Sequence, residues 1–283
     1  MSITLDKSIK LGLIGDNITS SKSPRLHRTA GQLAGLEVSY DRLIPKDLGL
    51  SFEETFAQAR ATGFSGINVT YPYKEVAAKM VSIPDDKVAA IGAVNTVVFE
   101  KDSPKGFNTD YSGFKRAYRN VIGDIPPGTV CLIGSGGVGK AIAFALADLG
   151  ADVLRLVDLN PDQAAALADA LRPASARTRV ETGTDAVAAA QGANGIVNCT
   201  PLGMVGIGGI PLPKAALTGA DWCFDAVYTP VETEFLQDAA DAGLKIITGY
   251  ELFFAQGIDA WQIFTGRQIN HDALRKAISG EPS

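Results

Sequence analysis

Thr129-Val130-Cys131-Leu132-Ile133-Gly134-Ser135-Gly136-Gly137-Val138-Gly139-Lys140 is the stretch on which the fold turns. A short, mostly apolar run with three β-branched residues and no breaker reads as a buried strand, Thr129–Ile133. It runs straight into G-x-G-x-x-G and then into Ala-rich helical sequence, giving an expected helix over Gly139–Leu149. Alone the glycine pattern is common, but strand, glycine loop and helix in that order are the context the dinucleotide fingerprint requires. Gly134 permits the tight turn, Gly136 lets a pyrophosphate approach the backbone, and Gly139 lets helix and strand pack closely. Ser135, Gly137 and Val138 complete the loop, and the helix start offers N–H groups to phosphates.

The next strand, Val153–Val157, ends at Asp158, about 20 residues past the loop, where an acidic residue can accept both ribose hydroxyls of NAD and repel a 2′-phosphate. No cation follows before Arg172. NAD is therefore the expected cofactor. Working outward, helix Pro161–Leu171 and strands Gly195–Asn198 and Trp222–Asp225 extend this unit. Before the loop lie strands at Lys10–Ile14, Val38–Arg42, Gly66–Thr70 and Val94–Phe99. Helices at Ser23–Leu36, Leu50–Ala61 and Tyr73–Met80 alternate with them. Ser23 is the expected N-cap of its helix, with Pro24 at the first helical position. Tyr111–Ile122 reads as a connecting helix, and Leu252–Phe264 and His271–Ser279 as the last helices. The alternation predicts an α/β protein.

Composition narrows the function. The chain has 283 residues, 46% hydrophobic and 20% charged, with a formal net charge of −5. This is globular material long enough for two domains. The acidic balance argues against a nucleic-acid partner. No apolar run is long enough for a membrane span, and the opening residues are too punctuated for a leader. Cys131, Cys199 and Cys223 are scattered and odd in number, as reduced thiols of a cytoplasmic protein would be. With only His27 and His271, and no Cys/His cluster at zinc spacing, no metal site is expected. His27 reads as a satisfied structural histidine. Tyr111 and Lys115 match Y-x-x-x-K of short-chain dehydrogenases but precede the glycine loop, so they read as faces of the connecting helix. An alcohol dehydrogenase needs a group to take the hydroxyl proton; Lys74 and Asp110 are candidates, though spacing alone does not select that pair from 26 basic residues.

Several further motifs occur in one order along the chain. Ser21-Lys22-Ser23-Pro24 with His27 resembles S-x-S-P-x-x-H, and Asn68 to Lys74 resembles N-V-T-x-P-x-K. Gly92 to Thr96 matches G-A-V-N-T, Gly106 to Gly113 matches G-x-N-T-D-x-x-G, and Asn198 to Met204 resembles N-x-T-P-x-G-M, with Gly249 and Gln256 at the spacing of the last glycine and glutamine. Together these resemble the shikimate/quinate dehydrogenase family over nearly the whole chain. The resemblance implies an α/β substrate domain, 1–108 completed by 250–283. An inserted Rossmann-type doubly wound NAD domain, 109–249, follows, with a cleft between the two. It implies hydride transfer between the ring 3-hydroxyl of shikimate and NAD, with Lys74 and Asp110 as catalytic pair. Ser21 and Ser23 would bind the carboxylate, with Tyr228 nearby. Asn68, Thr70, Asn95 and Gln256 would hold ring hydroxyls. Thr200, Met204, Val227 and Gly249 would lie along the nicotinamide half of the cofactor.

Three departures from the family pattern bear on substrate and cofactor. Asp158-Leu159-Asn160 replaces the basic turn of NADP members, Arg28 follows His27 where biosynthetic members usually have Asn, and Leu252 replaces a frequent Met. Quinate users often carry Thr or Gly where this chain has Ser23, which favours shikimate over quinate. Quinate, aminoshikimate and a non-catalytic NAD-binding regulator are the alternatives. The expected partner is a small polyhydroxy carboxylic acid, in aromatic amino acid biosynthesis or quinate/shikimate metabolism, with the protein a monomer or homodimer.

Overall fold

A computed structural model describes residues 8–279. Residues 1–7, the first part of the stretch read above as too punctuated for a leader, lie outside the described residues, as do 280–283. The chain divides into two compact units, Met1–Thr109 with Gly257–Ser283, and Asp110–Gln256. Each has its own sheet.

The first sheet contains β1 (Ser8–Ile14), β2 (Glu37–Leu43), β3 (Gly66–Val69), β4 (Thr96–Phe99) and β5 (Pro104–Phe107), in the order β2-β1-β3-β4-β5. β1 runs parallel to β2 and β3, whereas β4 and β5 add antiparallel. Helices Ser23–Ala34 and Phe52–Ala61 make the crossovers that parallel strands need. Gly35, at φ 66°, ends the first of these helices, two residues before the end expected from apolar spacing, because the left-handed cap stops the helix there. Its start also differs from expectation. Ser23 is the first helical residue, Lys22 is the N-cap, and no side chain caps from that position. The Ser21 hydroxyl accepts from Ser23 N–H at 3.3 Å. The second crossover begins with a capping box, Ser51 with Glu54, which satisfies two N-terminal donors reciprocally.

The second sheet is parallel throughout. It contains β6 (Thr129–Ile133), β7 (Val153–Val157), β8 (Arg179–Gly183), β9 (Gly195–Asn198), β10 (Trp222–Asp225) and β11 (Lys245–Ile247), ordered β11-β10-β9-β6-β7-β8. That is the doubly wound order, and its direction reverses between β6 and β9, where such sheets bind ligands at the carboxyl ends of the strands. Helix Thr109–Ile122 lies on this sheet through its aromatic side chains. Phe114 meets Phe224 edge-on at 5.0 Å, and Tyr118 meets Trp222 at 5.2 Å. No helix among the described residues is long and apolar enough to cross a membrane.

His27 shows how tightly the first unit is packed. It is 1% exposed, stacked on Tyr40 at 5.0 Å and edge-on to Phe264 at 5.7 Å. Its ring hydrogen-bonds to Asn68, but Nδ1 has no partner among the described residues. It is therefore structural, as expected, yet only half satisfied. Burial pulls its pKa from 6.5 down to about 3, a shift the Asn68 bond only partly offsets. The folded chain thus resists a proton that the unfolded chain accepts, so stability is full above pH 6.5 and falls as the pH drops toward 3. Between pH 7 and 5.5, urea unfolding of the wild type should lose roughly 1 kcal/mol from this residue. His27→Phe should show a flatter profile over that window. An equally steep profile in the variant would assign the loss to other groups.

Candidate functional site

Two adjacent parallel strands bring the first group of motif residues together. β1 ends at Ile14 and β3 at Val69, which are register partners. The loops leaving these carboxyl ends carry Ser21 and Ser23 on one side and Thr70 and Lys74 on the other. Thr70 N–H donates to Ile14 O at 2.9 Å, and Asp16 N–H to Tyr71 O at 3.3 Å. The Tyr73 hydroxyl donates to Asp16 Oδ1 at 2.6 Å, so the two loops are tied side chain to side chain as well. That bond pushes the Tyr73 pKa up to about 12, with burial adding to it. Gly15 is required here, because a β-carbon would collide with the Thr70 methyl. Ser21 is buried and donates its hydroxyl proton to Ser23 Oγ at 3.2 Å. Lys74 is 8% exposed and opens helix Lys74–Ala78.

Asn68 sits beneath these loops with its carboxamide fully engaged. Its Oδ1 accepts from Tyr40 Oη at 2.8 Å, and Nδ2 donates to Thr96 Oγ1 at 3.0 Å and to Asn95 O at 3.3 Å. With His27 as a further partner, it holds the neighbouring segment in place. Asn95 differs. Its Oδ1 lies within hydrogen-bonding reach of Thr109 N (2.8 Å), Thr109 Oγ1 (3.1 Å) and Thr96 Oγ1 (3.0 Å). The Asn95 carbonyl therefore caps helix Thr109–Ile122 from 14 residues away, and its amide Nδ2 donates to no described residue. Asp110, 6% exposed, follows directly in the first turn of that helix, where the positive end of the helix dipole favours a carboxylate.

The same helix is braced within the second unit. Tyr111 Oη donates to Asp148 Oδ2, and Lys115 Nζ lies 3.0 Å from the same oxygen, at the end of helix Gly137–Asp148. The Y-x-x-x-K pair thus joins two helices, in keeping with its reading as faces of the connecting helix. Gly113 explains itself by close approach, since a β-carbon would stand 2.8 Å from Gln256 N. Gln256 Nε2 donates to Phe253 O at 3.0 Å in helix Gly249–Thr265. Lys74 belongs to the first unit, whereas Asp110 and Gln256 belong to the second.

The glycine loop can be tested position by position. Gly134 has φ 97°, and a β-carbon there would lie 2.9 Å from Cys199 C. A β-carbon on Gly139 would run into Gly134 O. Protein packing therefore demands both. Gly136 is different: its φ is −74°, open to any residue, and a β-carbon would meet nothing within 4 Å. No side chain caps the helix that begins after it. An open, uncapped helix N-terminus beside a glycine that packing does not require fits a pyrophosphate. Beside it, the Asp158 carboxylate accepts from Ser135 N–H at 2.7 Å and Asn160 N–H at 2.9 Å. Each oxygen keeps acceptor capacity for a ribose hydroxyl. Leu159, 95% exposed, stands next to it in place of a cation.

Across the reversal point of the sheet, the loop after β9 carries Thr200 and Met204. Thr200 N and Oγ1 both donate to Asn198 Oδ1, at 3.0 and 2.6 Å. Val227 and Tyr228 follow β10. Tyr228 stacks on Phe253 at 5.2 Å, and a β-carbon on Gly249 would press on Ala226 O at 2.7 Å. Asn198, Asp225, Tyr40 and Thr96 were not singled out as site residues from sequence. Asn198 and Thr96 lie inside quoted motifs, which was the available signal; Tyr40 and Asp225 carried none. No group of His, Cys, Asp and Glu among the described residues could hold a metal ion.

Residues 13–97 match the shikimate dehydrogenase substrate binding domain. The chain is 38% identical to the quinate/shikimate dehydrogenase (NAD(+)) of Corynebacterium efficiens, over 95% of this chain and 96% of that one. It is 39% identical to the shikimate dehydrogenase (NADP(+)) of Streptomyces avermitilis, over 92% and 91%. Among solved structures, quinate dehydrogenase from Corynebacterium glutamicum in complex with NAD superposes with a TM-score of 0.88 at 31% identity, covering 97% of this chain and 99% of that one. Shikimate 5-dehydrogenase from Thermus thermophilus, in complex with NADP(H) and shikimate, gives 0.82 at 30% identity, covering 96% and 98%.

Substitution at the two glycines should have different effects. Gly136→Ala should cost less than about 1 kcal/mol in unfolding free energy, the scale of an N-cap change, yet weaken NADH binding measured by fluorescence titration. Gly139→Ala should destabilise the fold outright. Unchanged NADH affinity in Gly136→Ala would remove the phosphate from that position.

Proposed function

The chain belongs to the shikimate/quinate dehydrogenase family, and on that premise we propose that it transfers hydride between the 3-hydroxyl of shikimate and NAD. The choice of NAD is carried by Asp158. A 2′-phosphate placed against this carboxylate would meet like charge with no cation from Leu159 or Asn160 to offset it. Relatives of both cofactor types are equally similar in sequence, so the decision falls to this residue.

On this reading the two units divide the work as substrate and NAD domains. Ser21 and Ser23 bind the carboxylate of the acid, with Tyr228 completing that end. Asn68, Thr70, the Asn95 amide and Gln256 bind ring hydroxyls, and Asn68 also holds Asn95 and Thr96 in position. Lys74 Nζ takes the proton from the reacting hydroxyl, and Asp110 orients the lysine. NAD, when bound, supplies the hydride acceptor. The glycine loop fixes the pyrophosphate, Asp158 the adenosine ribose, and Thr200, Met204, Val227 and Gly249 surround the nicotinamide end. Positioned acid/base groups of this kind contribute by meeting the proton in the transition state.

Quinate is the second reading, favoured by the names of the NAD-using relatives. It carries an extra hydroxyl beside the carboxylate, where Ser21 and Ser23 are already hydrogen-bonded to each other. An added hydroxyl that finds no matched partner in a site is discriminated against.

NADH absorbance with shikimate and quinate, each crossed with NAD and NADP, tests the reading. The expected order of kcat/KM is shikimate with NAD first, quinate with NAD second, and NADP poor with either acid. A preference for quinate would overturn the choice of acid, and a preference for NADP the argument from Asp158. Lys74→Ala should lower kcat by about 10²–10⁴-fold, the range for losing a general acid or base, with NADH binding retained. A near-normal kcat at saturating acid would take Lys74 out of the chemistry.

A further inference from the structure

Asp225 is a buried carboxylate that the proposed chemistry leaves without a task. It closes β10, is 0% exposed, and pairs in register with Asn198 at the end of β9. No lysine or arginine among the described residues neutralises it. Three donors converge on it instead. Asn198 Nδ2 donates to Oδ1 at 2.9 Å, Val227 N–H to Oδ1 at 3.0 Å, and Thr233 Oγ1 to Oδ2 at 2.6 Å. Burial raises its pKa, and these bonds pull the other way. Only a carboxylate accepts on both oxygens; an asparagine would point an N–H at one of the donors.

The network reaches two loops at once. Asn198 accepts from Thr200 N and Oγ1 and donates to Leu202 O at 3.3 Å. On the far side, Val227 is held directly, and Thr233 also accepts from Leu236 N–H to cap the helix Glu234–Asp241. Val205 N–H donates to Thr229 O at 3.0 Å, closing the two loops on each other. Thr200, Met204 and Val227 therefore share one buried anchor. We propose that Asp225 is a positioning residue that sets the nicotinamide-facing loops after β9 and β10, acting through Asn198, Val227 and Thr233 without touching the cofactor. This rests on the reading of those loops as the nicotinamide end of an NAD site.

The test compares two probes on the full chain by titration calorimetry: NADH, and ADP-ribose, which lacks the nicotinamide ring. Asp225→Asn should weaken NADH about tenfold, the effect of one compromised charged hydrogen bond. ADP-ribose should stay within about twofold of wild type, since the glycine loop and Asp158 are untouched. Thr233→Val removes one donor and carries the same readout with a smaller shift. Thr233→Ser keeps the hydroxyl and should match wild type. Parallel loss of both ligands, or loss of neither, would overturn the positioning role. If wild-type protein bound neither probe, the NAD reading itself would fail, and this inference with it.

Discussion

The Asn95 carboxamide oxygen is the point on which the order of the first unit's motif residues depends. It takes the place of a local N-cap for helix Thr109–Ile122 by accepting from Thr109 N–H. A helix start has unsatisfied N–H groups that must find acceptors. Here the acceptor comes from the segment just before β4, and without it a buried N–H would go unmet. Asn95 is in turn held by Asn68 Nδ2 and by the backbone of β3, since Val69 N–H donates to Asn95 O at 2.8 Å. Asn68 is held by Tyr40 and His27. The chain of bonds runs from the core outward to the amide that the proposed function points at substrate. A buried network of this sort is costly to leave half made and specifies one geometry when complete.

The second unit solves a similar problem with an anion. Parallel strands release their loops at one end of the sheet, and nothing in the ladder itself orders those loops. Asp225 and Asn198 close adjacent strands and bind the backbone and side chains that follow. Glycines then set spacing where side chains cannot fit, at Gly134, Gly139 and Gly249. Gly136 stands apart because packing alone would accept alanine there. The difference among the glycines separates those that packing demands from one that it does not.

Much of this was legible in the sequence, and what was missed has physical causes. β6, β9 and β10 are short runs buried almost throughout, and β7 is apolar but for Arg155, so their limits read directly from hydrophobicity. β5, β8 and β11 escaped notice. β5 contains Pro104 and Gly106, β8 is Arg179-Val180-Glu181-Thr182-Gly183 at the sheet edge, and β11 has only three residues. Their strand character comes from neighbours, not from local pattern. The glycine loop and Asp158 were legible because backbone chemistry demands those residue types. The bonds of Asn95 to Thr109, Asn68 to Thr96 and Asp225 to Asn198 join residues 14, 28 and 27 apart. Spacing carries no trace of such pairs. The motifs give residue types and order, and they do not show which residues hold others in place.

The most direct test follows the transferred hydrogen itself. Shikimate carrying deuterium at C3 would be incubated with NAD and the wild-type chain, and the nucleotide product examined by proton NMR and mass spectrometry. The account requires the deuterium on the nicotinamide C4 of NADH, with 3-dehydroshikimate as the other product. Unlabelled NADH, or label retained on the ring while NADH forms, would contradict transfer from the 3-position and with it the assigned reaction.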